Sequence, residues 1–201
     1  MTRVYSNLAV LVFLIFSFSS CQKNASDYGD DFFANGEYQK AIESYDKYIV
    51  DHPNHAKSFF NRGRAYEELG DLKSALKDIK HASETEPDNV TFHLGIGQCY
   101  FKLKEYQKTI NSMTKVIELN NNNAQAYFIR GRAYQKLNKT KPAMDNYNTA
   151  INYNPNLGGP YMYRGMLKIH TNRKKAGCSD LKKAKSLNEP NADKLLKKYC
   201  K

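Results

Sequence analysis

Apolar and polar positions from Phe59 to Pro87 fall into two helical stripes separated by a break. Phe59, Phe60, Gly63, Tyr66 and Leu69 share one face at helical spacing, which predicts a first helix. Gly70-Asp71 interrupts it, and Leu72, Ala75, Leu76, Ile79 and Ala82 then draw a second stripe that Pro87 stops. The segment Ala56–Asn89 therefore predicts two helices joined by a tight turn. Helices of ~12–14 residues are marginal alone in water. The unit has to stack on others like it.

Such units are present. Glycine recurs at Gly29, Gly63, Gly97, Gly131 and Gly165, placing five of the eleven glycines on one grid of 34 residues. The same interval relates Phe32, Tyr66, Tyr100 and Tyr134; Ala41, Ala75 and Ala143; Ala82, Ala150 and Ala184; and Pro53, Pro87 and Pro155. The string Arg-Gly-Arg-Ala-Tyr occurs at Arg62–Tyr66 and again at Arg130–Tyr134. The mid-unit break repeats as Gly36-Glu37, Lys104-Glu105 and Asn138-Lys139. A period of this length marks a repeat array whose units contact only their neighbours.

The pattern Phe59, Gly63, Tyr66, Ala75, Ile79, Ala82 and Pro87 resembles the tetratricopeptide repeat, and the resemblance runs from residue 22 to about residue 189. It implies an all-α fold: a right-handed solenoid of about five helix-turn-helix repeats. Four would occupy residues 26–157, a degenerate fifth residues 158–189, and a capping helix residues 190–201. It also implies protein binding rather than catalysis. In this family the first helices of successive repeats line a concave groove. Carried over, the groove positions are Phe60, Arg64 and Glu67; Leu94, Gln98 and Phe101; Phe128, Arg132 and Gln135; and Met162, Met166 and Ile169. These suit a protein or peptide ligand with apolar anchors and a carboxylate, unless neighbouring helices cover Phe60 and Phe128. The clamp by which family members hold chaperone tails needs Lys and Asn at positions that here read Ser26, Asp30, Asn61, Thr91 and Gly95. Only Asn61 fits.

The first twenty residues belong to a different chemistry. Arg3 precedes an apolar run from Leu8 to Phe18, too short to span a bilayer and suited to a secretory signal. Ser19-Ser20-Cys21 resembles the bacterial lipoprotein processing site. That resemblance implies cleavage after Ser20, acylation of Cys21 (palmitate included) and a membrane anchor close to the first repeat. An ordinary signal peptide cut elsewhere would leave Cys21 as a thiol. Gln22 lacks the Asp of inner-membrane retention, which favours the outer membrane of a bacterial envelope.

The net charge of +11 invites a nucleic-acid reading until it is mapped. Residues 22–157 hold 18 basic and 17 acidic side chains; residues 158–201 hold 12 and 3, a balance of +9. The basic end either binds anionic lipid or polymer through its field or keeps the last repeat soluble. Export and the lack of clustered aromatics argue against nucleic acid. Of the other cysteines, Cys99 reads as a buried small apolar residue. Cys178 and Cys200 suit a disulfide that staples the cap in an exported protein. No Cys-x-x-Cys is present and no nucleophile–base arrangement stands out, so no metal, cofactor or catalytic residue is expected. Asp27, Asp30 and Asp31 read as a solvated helix start, and His52 and His55 as solvated turn residues. The sequence thus predicts a lipid-anchored scaffold, monomeric or part of a hetero-complex. A more specific version resembles the accessory lipoprotein of outer-membrane barrel assembly.

Overall fold

A computed structural model describes residues 23–201. The signal segment and Cys21 lie outside the described residues. Within them the chain forms eleven helices and no strand: α1 (Ala25–Ala34), α2 (Tyr38–Asp51), α3 (Ala56–Glu68), α4 (Leu72–Thr85), α5 (Val90–Lys102), α6 (Tyr106–Leu119), α7 (Ala124–Lys136), α8 (Thr140–Tyr153), α9 (Gly158–His170), α10 (Lys174–Ser186) and α11 (Ala192–Tyr199). Each helix packs on the next in sequence, so the array is a tetratricopeptide-type solenoid.

The turn inside each repeat is local chemistry repeated five times. Gly36, Gly70, Lys104, Asn138 and Asn172 all take positive φ, between 58° and 84°. The following amide then reaches back to the carbonyl five residues earlier, as Glu37 to Phe32, Asp71 to Tyr66, Glu105 to Tyr100, Lys139 to Tyr134 and Arg173 to Lys168, at 2.8–2.9 Å. This left-handed cap satisfies carbonyls that the helix end leaves open.

The grid glycines close the helix pair. Each faces the residue sixteen positions on: a Cβ built at Gly29, Gly63, Gly97 or Gly131 would lie 2.2–2.8 Å from the side chain of Tyr45, Ile79, Met113 or Tyr147 respectively. At Gly165 the obstacle is backbone, the Gly177 carbonyl at 2.9 Å, with Leu181 beside it. Tyr45, Ile79, Met113, Tyr147 and Leu181 are all fully buried. The missing side chain is thus what lets a large apolar residue enter the pair. The core passes between repeats too, since Ala75 and Ile79 of α4 cluster with Phe92, Ile96 and Cys99 of α5. Burial pushes the Cys99 thiol up to about 12.

One position before the glycine, arginine ties three helices together. Arg62 bonds Asp78 on α4 and Asp46 on α2; Arg130 bonds Asn146 on α8 and Thr114 on α6; Arg164 bonds Asp180 on α10 and Asn148 on α8. Both partners stand sixteen residues away, one on each side. In the third repeat Ile96 takes this place and is buried instead.

Two smaller expectations change. Asp30 is no solvated helix start: it accepts bonds from the Tyr45 hydroxyl at 2.6 Å, the Asn61 amide at 2.8 Å and the Lys57 ammonium at 2.8 Å. Burial raises its carboxyl, but these bonds outweigh that and hold it below the ordinary carboxylate value. His55 is not merely solvated either, because its ring accepts from the Ser58 amide and caps α3. At the far end α11 packs on α10, and a disulfide joins Cys178 to Cys200.

Candidate functional site

The first helices α3, α5 and α7 lie side by side and frame a depression of about 650 Å³. Its wall is Arg64 from α3, Gln98 and Phe101 from α5, and Gln125, Ile129 and Arg132 from α7. Five cations and two carboxylates line it in all, Lys102, Lys104 and Lys136 joining the arginines against Glu67 and Glu68. Lys102 and Glu67 neutralise one another at 2.9 Å. The remaining field is positive.

The two arginines are held by aromatic rings rather than by acids. The Arg64 guanidinium sits 4.6 Å from the centre of the Phe33 ring, and that of Arg132 sits 4.3 Å from Phe101. Both pairs are offset by the same 68 residues, two whole repeats. Arg132 also has Tyr163 at 5.0 Å and Phe128 at 5.6 Å. Among the described residues neither arginine is paired with a carboxylate. The Arg132 Nε is buried and has no hydrogen-bond partner among the described residues.

Of the groove positions read from the sequence, Arg64, Glu67, Gln98, Phe101 and Arg132 come together in this depression. Phe60 and Leu94 line a smaller hollow of about 210 Å³ beside it, with the Phe60 ring tilted against that of Phe92 at 4.9 Å. Gln135 borders another hollow next to Arg132 and accepts a 2.6 Å bond from the Tyr147 hydroxyl. Burial pushes that phenol upward. Met162, Met166 and Ile169 are half-buried on α9 and stand outside the depression. Phe128 has to be corrected: it is only 8% exposed and belongs to the core with Tyr147 and Leu167. The reason is Gly159, where an added Cβ would come within 2.6 Å of the Phe128 ring. The ring is therefore drawn into the gap between repeats instead of facing the groove.

Gln125 and Ile129 are wall residues that the carried-over groove positions omit. They continue Thr91 and Gly95 one repeat on, so the register used to test the chaperone-tail clamp points to them when extended. The rim lysines Lys102, Lys104 and Lys136 carry no such signal, because isolated surface lysines look alike in sequence.

Ser26, Ser58 and His55 form a hydrogen-bonded chain, but Ser58 is fully buried and serves a helix start. What the depression offers is binding: apolar patches from Phe101, Tyr106 and Ile129, two side-chain amides and cations in excess of acids.

The family model described as "Anaphase-promoting complex, cyclosome, subunit 3" matches residues 34–116 and 76–150. Two curated relatives align over short stretches. The Protein SGT1 homolog of Dictyostelium discoideum is 37% identical over 51 residues, 25% of this chain and 13% of the relative. Hsp70-Hsp90 organizing protein 3 of Arabidopsis thaliana is 34% identical over 59 residues, 29% and 11% respectively. The aligned stretches thus span a small part of either relative. Among solved structures, MamA superposes with a TM-score of 0.73 at 23% identity, covering 83% of this chain and 98% of that one. YrrB, described as a TPR protein with an unusual peptide-binding site, gives 0.69 at 17%, covering 87% and 90%. At these identities the likeness is one of fold.

Proposed function

We propose, since the chain belongs to the tetratricopeptide-like repeat family described by the model spanning residues 34–150, that it is a non-catalytic scaffold holding a partner protein segment in its concave groove. The observation that carries this reading is the depression across α3, α5 and α7, in which side chains from three successive repeats share one wall. A site built this way recognises extended or helical chain rather than a small molecule. The anchor is the acylated Cys21 of the lipoprotein-like leader, and the place of work is a bacterial envelope membrane, with the outer membrane favoured by Gln22. At such a surface the array would serve as an assembly or docking factor.

Two experiments test the two halves. Metabolic labelling with an alkyne fatty acid is expected to mark the wild-type chain and to leave Cys21→Ala unlabelled and released from membranes. An unlabelled wild type would remove the anchor. Filling the groove with Gln98→Trp and Gln125→Trp is expected to abolish co-purification of the partner while thermal stability is kept. Unchanged co-purification would remove the groove.

A further inference from the structure

Resting on that reading of the groove, we infer that Arg64 and Arg132 are two carboxylate receptors, which select a partner peptide carrying acidic side chains. Arg132 is half-buried and Arg64 is exposed, and each guanidinium lies against a ring. Against a ring face it keeps its charge and loses little favourable hydration, because it is weakly hydrated there and the ring quadrupole compensates. Ring contact leaves the N–H edge that the rings do not cover, and a guanidinium edge matches a carboxylate with two parallel bonds. Arg62 and Arg164, in the clamps between helices, spend that edge on Asp78 and Asp180. Arg64 and Arg132 do not: each is seated on an aromatic ring of the preceding repeat, and neither meets an acid among the described residues.

The two lie on the wall of the same depression, with the Gln98 amide between them on α5. Arg132 is the more finished receptor, boxed by Phe101, Phe128 and Tyr163 with a buried, unbonded Nε. Its field reaches Glu189 on the turn before α11: burial raises that carboxyl, while Arg132 draws it down. The positions differ from those of the chaperone-tail clamp, which here are Ser26, Asp30, Asn61, Thr91 and Gly95. Glu68 shares the wall without a cation partner among the described residues and interrupts a continuous run of phosphates. A peptide with spaced acidic residues among apolar and amide positions fits better than a nucleic-acid strand.

The test pans a display library of random dodecapeptides against the full chain, then measures the selected peptides by fluorescence anisotropy. The expected result is enrichment of Asp and Glu, binding that weakens as salt is raised, and photo-crosslinks on α3, α5 and α7. Arg132→Gln is expected to weaken these peptides about tenfold or more, as the loss of a charged hydrogen-bonding partner would. Arg132→Lys, which keeps the charge but loses the planar fork, should weaken them less than Arg132→Gln does. Peptides that crosslink in the groove without acidic enrichment, or that ignore Arg132→Gln and Arg64→Gln, overturn the inference and leave the groove reading standing. Crosslinks elsewhere, or no selected peptide, overturn both. Displacement of the peptides by an oligothymidylate strand at equal concentration overturns the inference in favour of phosphate. If the glutamine variants lose helical content, the salt titration of the wild-type chain decides, and a flat response overturns it.

Discussion

Arg62 grips Asp78 with two parallel bonds, Nε to Oδ2 at 2.7 Å and Nη2 to Oδ1 at 2.8 Å. The Asp78 side chain is 5% exposed, so the pair is shielded from water. Arg130 holds the equivalent place two repeats later, where its partner is the neutral Asn146, whose amide also bonds the Pro142 carbonyl. Arg164 on Asp180 repeats the charged form, so the same architecture is built twice around a buried carboxylate and once around a neutral amide.

That difference sets the first prediction. Arg62→Ala leaves a carboxylate buried and alone, and is expected to cost about 3–5 kcal/mol. Arg130→Ala leaves an amide that retains one bond, and is expected to cost about 1–2 kcal/mol. Urea denaturation followed by helical circular dichroism measures both. An Arg130→Ala loss equal to or above that of Arg62→Ala would remove the electrostatic explanation.

Glycine substitutions should separate by what stands opposite. At Gly97 an added methyl meets the terminal carbon of Met113, a side chain that can swing away. At Gly165 it meets the Gly177 carbonyl of α10, which cannot move without the helix. Alanine raises intrinsic helix stability by about 1 kcal/mol in both cases. Overpacking subtracts about 1–3 kcal/mol where the backbone has to shift. Gly165→Ala is therefore expected to lower the melting temperature, and to lower it further than Gly97→Ala does. The reverse order would mean that Met113 is the more rigid obstacle.

Lys104 occupies with φ 63° the turn position that Gly36 and Gly70 fill elsewhere. A side chain there is strained by roughly 1–2 kcal/mol, while glycine is not. Lys104→Gly is expected to stabilise the chain by up to about 1 kcal/mol, read as a raised urea midpoint. A lowered midpoint would show that the lysine side chain contributes more than its backbone costs.

The bond between Cys178 and Cys200 closes a segment with a sequence separation of 22 residues. In the chain-entropy account a loop of that size is worth about 3 kcal/mol. The eight-residue α11 is too short to persist alone. Cys200→Ser is expected to speed amide exchange across Ala192–Tyr199 while leaving α3 to α8 unchanged, as nearest-neighbour stability requires. Unchanged exchange in α11 would assign its stability to packing alone.

How much of this was legible in the sequence depends on range. The turn at Gly36, Gly70 and Asn138 is a local backbone demand, so residue type announces it; Lys104 was legible only because the period placed it. The glycine grid was legible for the same reason. The clamps were not, because Asp46 and Asp78 look like ordinary surface acids until α2, α3 and α4 are brought together. Phe128 could not be assigned to groove or core from its own helix, since the space that receives it is opened by Gly159 on another. Asp30 was misread alike: its partners Tyr45, Lys57 and Asn61 come from α2 and α3.

The concave wall is the proposed working surface of the array. The direct measurement is in-cell photo-crosslinking from Gln98 and from Gln125, compared with Lys77 on α4 outside the depression, followed by mass spectrometry. One shared protein is expected from Gln98 and Gln125 and none from Lys77. Capture from Lys77 alone, or from none of the three, would contradict that role.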